Sequence, residues 1–161
     1  MKKVGIYLFA FVLTAMLPAL GTGAEKTHVH HGYKAYLSGS AEVPKVKTSA
    51  KGMATFKPEM NGKELHYSLT VDGIENVTAA HIHMGKKGKS GPPVAGLFAG
   101  PKKEGKFSGT LAEGTITEKE LIGPMAGKTV KDLIKALHEG ELYVNVHTVK
   151  YPDGELRGQI E

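Results

Sequence analysis

The stretch Leu142-Tyr143-Val144-Asn145-Val146-His147 alternates apolar and polar side chains with a period of two. That period belongs to a β-strand with one face in a core, so Leu142, Val144 and Val146 point one way and Tyr143, Asn145 and His147 the other. Downstream, Glu155-Leu156-Arg157-Gly158-Gln159-Ile160 alternates in the same manner, and Pro152-Asp153-Gly154 between the two supplies turn residues. A hairpin with this three-residue loop sets Tyr151 opposite Glu155, His147 opposite Gln159 and Val146 opposite Ile160. Polar then meets polar and apolar meets apolar, a match that a slip of one residue would destroy. The polar set Tyr143, Asn145, His147, Glu155, Arg157 and Gln159 is expected to share one surface.

Outward from this hairpin, short alternations separated by glycine-containing turns predict further strands. They fall near Tyr33 to Leu37, Gly52 to Phe56, Leu65 to Val71, Thr78 to Met84, Val94 to Phe98 and Lys106 to Leu111, beside Leu142 to Val149 and Glu155 to Ile160. Asn61-Gly62 reads as a hairpin turn, since both central positions of a type I′ turn need positive φ. One segment breaks the period. From Thr129 to Glu139, Val130, Leu133, Ile134 and Leu137 form a helical stripe, with Thr129 and Asp132 as a capping box and Gly140 as the stop. A shorter helical turn is expected to begin at Thr117, with Glu120 three residues on, and to end at Gly123-Pro124. The fold class is therefore all-β, an antiparallel β-sandwich or barrel with a small helical insertion near 117–139.

Composition bounds the chemistry. The chain has 161 residues, 40% apolar and 23% charged, in keeping with one globular domain. With no cysteine there is no disulfide, thiol nucleophile or thiolate metal site. Lys2-Lys3, an apolar run from Val4 to Leu17 and the small residues Gly21-Thr22-Gly23-Ala24 have the order of a secretory signal peptide over 1–24. The run is too short to span a bilayer comfortably, so no stable membrane span is expected after cleavage, and the protein is expected to be secreted or periplasmic. A flexible His-containing tail over 25–32 and a domain over 33–161 follow. Of the 21 basic residues two lie in the leader, so 19 face 16 acidic ones, an excess of +3. That is too mild for a nucleic-acid footprint.

The eight histidines carry the remaining chemistry. On Ala79-Ala80-His81-Ile82-His83-Met84 the period of two puts His81 and His83 on one face and Ile82 and Met84 on the other. Two imidazoles at i and i+2 can converge on one divalent ion if a neighbouring strand brings a third, and His147 is the candidate. The expected metal ligands are thus His81, His83 and His147, for copper or zinc, with Asn145, Glu155 and Gln159 orienting the rings. In the alternative, His81 and His83 donate to loop carbonyls and fix the glycine-rich turn that follows. The tail histidines His28, His30 and His31 would be auxiliary, and His66 and His138 read as structural. Gly88-Lys89-Ser90 imitates a phosphate-binding loop, but His83 stands where its first glycine belongs and Gly91-Pro92-Pro93 cannot open the required helix. The lysines Lys86, Lys87 and Lys89 are expected on a solvated loop, able to meet an acidic extracellular or envelope partner.

Four ordered motifs resemble the CHRD domain, a family named after chordin and also found in secreted microbial proteins. They are Leu37-Ser38-Gly39 with Glu42-Val43-Pro44, then Ala79-Ala80-His81-Ile82-His83-Met84-Gly85, then Tyr143-Val144-Asn145-Val146-His147-Thr148, and last Tyr151-Pro152-Asp153-Gly154-Glu155-Leu156-Arg157-Gly158-Gln159-Ile160. The resemblance runs from Tyr33 to Glu161. It departs from the family at Lys45, where a second proline is usual. It implies an extracytoplasmic all-β module and assigns no activity. The His-x-His strand is also similar to the copper-ligand strand of copper-zinc superoxide dismutases, whose β-barrel architecture is a possible parallel; the further histidines and the zinc-binding aspartate of that site are not found. Three functions follow: a transition-metal-binding domain, a non-catalytic interaction module with structural histidines, or a copper-dependent oxidoreductase.

Overall fold

A computed structural model describes residues 32–161; the leader at 1–24 and the tail histidines His28, His30 and His31 lie outside the described residues. Seven strands and one helix follow in the order β1 (Tyr33–Ser38), β2 (Lys51–Glu59), β3 (Glu64–Met84), β4 (Pro93–Phe98), β5 (Lys103–Ile116), α1 (Val130–His138), β6 (Leu142–Thr148) and β7 (Leu156–Gln159). All strand pairs are antiparallel. From β3 the pairing runs through β2, β1, β7 and β6 and back to β3, which closes a five-stranded ring. Closure pairs each of these five strands with two neighbours of the ring. The strands β4 and β5 pair with β3 outside this ring.

The two expected strands at 65–71 and 78–84 are one strand of 21 residues. Gly73 and Asn76, at φ +66° and +53°, act as bulges and not as a turn, and the register against β5 shifts at both places. Ile74 between them and Val77 just after them stay fully buried, so the strand bends around the core without leaving the sheet. Pairing with β3 also extends β5 to Ile116, past a Gly- and Glu-rich end that shows no clear alternation. In the β2–β3 hairpin the turn begins one residue before the expected Asn61-Gly62. Met60 and Asn61 both have positive φ, Gly62 follows at +78°, and the Gly62 amide donates to Glu59.

The helix stands where its stripe predicted. Thr129 and Asp132 form the reciprocal capping box; Val130, Leu133, Ile134 and Leu137 are buried; and Gly140 at φ +65° ends it. The turn expected from Thr117 is two 3-10 turns, Glu118–Glu120 under a Thr117–Glu120 capping box and Gly123–Met125. Between them the Ile122 amide donates to the Val94 carbonyl, which ties this insertion to β4.

The β6–β7 register differs from expectation. Tyr143 faces Gln159, Asn145 faces Arg157 and Val146 faces Leu156, a displacement of four residues from the predicted pairing. An even displacement leaves every side chain on its predicted face, which is why alternation could not detect it. The loop is correspondingly longer. His147 and Thr148 pair with β3 and not β7, and the Thr148 hydroxyl and the Glu155 carboxylate hydrogen-bond across the loop at 2.8 Å.

Candidate metal centre

The strand β3 brings His81 and His83 to the face opposite Ile82, and β6 lies beside it with Asn145 facing His81 and Ala79 facing His147. His147 is thereby the diagonal neighbour of His81, within reach of its ring. The three ring centroids form a nearly equilateral triangle, at 5.2 Å for His81 and His147, 5.7 Å for His81 and His83, and 5.8 Å for His83 and His147. One ring nitrogen from each lies within 4.8 Å of the other two. The three residues expected from sequence to meet do meet.

Hydrogen bonds set the proton positions. A carbonyl oxygen can only accept, so His83 Nδ1 donates to Gly91 O and His147 Nδ1 to Pro152 O, both at 2.9 Å. In a neutral ring the other nitrogen, Nε2, then carries a bare lone pair. His81 Nδ1 lies 3.2 Å from His147 Nε2 and donates to it. The Nε2 of His83 is buried and has no hydrogen-bond partner among the described residues. An unsatisfied buried acceptor is costly and calls for an explanation. Burial holds all three imidazoles below the usual histidine range, and for His81 the neighbouring His147 and His83 add to it and take the value to about 4. For His147 the Pro152 carbonyl and the Asp153 carboxylate oppose the effect of burial. The cluster is neutral at pH 7, the protonation state that metal coordination requires.

The polar set expected to form a surface is instead a second interior. Tyr143, Asn145, Glu155 and Arg157 are only 3, 3, 7 and 2% exposed. The segment at 39–50 covers one part, with Thr48 donating to Glu155 and Asn145 donating to Glu42. The loop at 85–92 covers another. The Arg157 guanidinium stacks 3.5 Å over the Tyr143 ring and donates to the Lys89 carbonyl at 2.6 Å, and Tyr143 in turn stacks on His83. Gln159 Nε2 donates to the carbonyls of Gly85, Gly140 and Leu142. Asn145, Glu155 and Gln159 therefore do not orient the imidazoles as expected. The four-residue displacement takes Gln159 away from His147, and the carbonyls of Gly91 and Pro152 hold the rings. The bond from His83 to Gly91 is the loop-carbonyl contact of the alternative reading, made by His83 and not by His81. The Pro152 carbonyl on His147, with Tyr143 and Arg157 behind His83, is the part of the site that sequence reasoning missed; Pro152-Asp153 marked a loop but not where its oxygen points.

The remaining described histidines behave as structural residues. His66 lies 3.5 Å from the Glu64 carboxylate and 3.3 Å from the Thr115 hydroxyl, and His138 is 2.6 Å from the Tyr33 hydroxyl. Lys87 and Lys89 are exposed on the 85–92 loop, and Lys86 reaches the Glu141 carboxylate at 3.5 Å. Among the described residues no helix is long and apolar enough to cross a membrane.

Fold and site define a closed antiparallel β-barrel with a three-imidazole cluster on its second, polar interior. The CHRD domain family profile matches residues 33–160, and the chain belongs to that family. It is similar to Chordin of Xenopus laevis, with 28% identity over 132 residues, covering 77% of this chain and 12% of that protein. The chain thus spans about an eighth of the length of that relative. No solved structure matches it.

Proposed function

We propose that this CHRD domain is an exported metal-binding module that holds one copper or zinc ion at His81, His83 and His147. The observation that carries this reading is the buried, unpartnered Nε2 of His83 beside two further neutral imidazoles. An ion would satisfy that lone pair. The 3.2 Å between His81 Nδ1 and His147 Nε2 is close to the roughly 3.3 Å edge of a tetrahedral site with metal–nitrogen bonds of about 2.0–2.1 Å. Coordination through His81 Nδ1 requires that ring to carry its proton on Nε2, a change of tautomer without a change of charge. An all-imidazole set suits copper first and zinc second. The leader pattern and membership of a family that includes part of Chordin support a location outside the cytoplasm.

Elemental analysis of the purified protein, followed by competitive titration with Cu²⁺ and Zn²⁺, tests the reading. One equivalent per chain is expected, with a large loss of affinity on His83→Ala; equal binding by the His81, His83 and His147 triple alanine variant would refute it. A second reading, an interaction module with structural histidines, is favoured by the bonds from His83 and His147 to loop carbonyls. It predicts no dependence on metal and a salt-sensitive acidic partner at the lysine loop. An oxidoreductase would turn over superoxide or a redox dye only when loaded with copper.

A further inference from the structure

The three imidazoles form part of the wall of an open cavity of about 400 Å³. The rest of that wall is Thr78, Ala79, Pro93, Thr148, Val149 and Pro152, with no charged side chain among them. The Asp153 carboxylate, which acts electrostatically on His147, does not line it. Two consequences follow for a loaded site. Three protein ligands leave a fourth position, and because the rings line the cavity, that position opens into it. Three neutral imidazoles also leave the full charge of a divalent ion uncompensated in a half-buried place, where an unpaired charge is expensive. The family of closed four-ligand structural sites is excluded among the described residues, since the cluster contains no fourth histidine and no carboxylate.

Resting on the metal reading above, we infer that the cavity admits a small monodentate anion to the open coordination position, where it supplies both the missing ligand and the missing negative charge. The volume has room for roughly a dozen waters at about 30 Å³ each, so a small anion fits without rearrangement of the wall. The Thr148 hydroxyl is engaged by the Glu155 carboxylate and the Tyr151 amide, and Thr78 with the apolar surfaces of Ala79, Pro93, Val149 and Pro152 offers no competing counter-charge. Ala79 lines the cavity and faces His147 across the β3–β6 ladder, so a larger side chain there narrows it beside the cluster.

The test uses Co²⁺, whose visible absorption reports coordination number, with azide as the anion. The full chain is titrated with Co²⁺, and the spectrum lost in His83→Ala is assigned to the cluster. Azide should then change that spectrum saturably, and Ala79→Leu should keep the Co²⁺ spectrum while weakening the azide response by about tenfold or more. A cobalt spectrum that azide leaves unchanged overturns the open position and leaves the metal reading standing. An azide response undiminished in a folded Ala79→Leu protein overturns the cavity as the route. Absence of any cobalt spectrum that depends on His83 removes the metal reading and this inference with it.

Discussion

At the scale of single residues, position along a strand fixed the face and tertiary contacts fixed the role. His81, His83 and His147 were identifiable because strand alternation is geometric and does not depend on what covers the strand. Their low proton affinity was not, because it arises from burial and, for His81, from the two neighbouring imidazoles, which the tertiary structure brings together. For His81 the neutral form is favoured in the fold, so the unfolded chain takes up a proton first as pH falls. The metal-free protein is therefore expected to lose stability as pH drops from about 6.5 through about 4, and His81→Asn should reduce that loss, as measured by chemical denaturation at pH 7 and pH 5. Gly154 makes a second case. Its φ is +131°, and a Cβ there would lie 2.4 Å from Asn145 Nδ2 and 2.7 Å from Glu42 Oε1. Gly154→Ala should cost about 2 kcal/mol or more in denaturation experiments, through both strain and displacement of buried polar groups.

At the scale of elements, local signals were sufficient where an element is closed by its own neighbours in sequence. The helix is such a case, with stripe, capping box and terminal glycine all within Thr129 to Gly140. Thr129→Ala removes a cap and should destabilise the protein by about 1 kcal/mol, read from the thermal midpoint. The joining of two expected strands into β3 was not legible, because a glycine after Asp72 reads equally as a turn or as a bulge, and only pairing with β5 decides. The 85–92 loop belongs here too. Arg157, Tyr143 and His83 bind its backbone through the Lys89 and Gly91 carbonyls and the Gly91 amide. Arg157→Met should release it, with faster tryptic cleavage after Lys86, Lys87 and Lys89 and lower hydrogen-exchange protection of the Gly91 amide.

At the scale of the whole molecule, the barrel has two interiors of different character, one apolar and one polar, on opposite faces of β6. The polar one includes Glu42, whose carboxyl burial pushes up to about 7 although the Asn145 amide and the Arg157 guanidinium pull the other way. A raised carboxyl contributes stability that is complete below about pH 4.5 and is lost as pH rises through about 7, the reverse of the His81 effect. Glu42→Gln should remove that loss and move the pH of maximum stability upward, as judged from denaturation midpoints between pH 5 and pH 8. The sequence by itself determined the all-β class, the helix, the family and the face of His81, His83 and His147, because these depend on periodicity and on short ordered motifs. Only the tertiary structure decided the β6–β7 register, the closure of the ring through β3 and the burial of the polar face. A displacement of four residues preserves alternation, and burial depends on segments that return from remote parts of the chain.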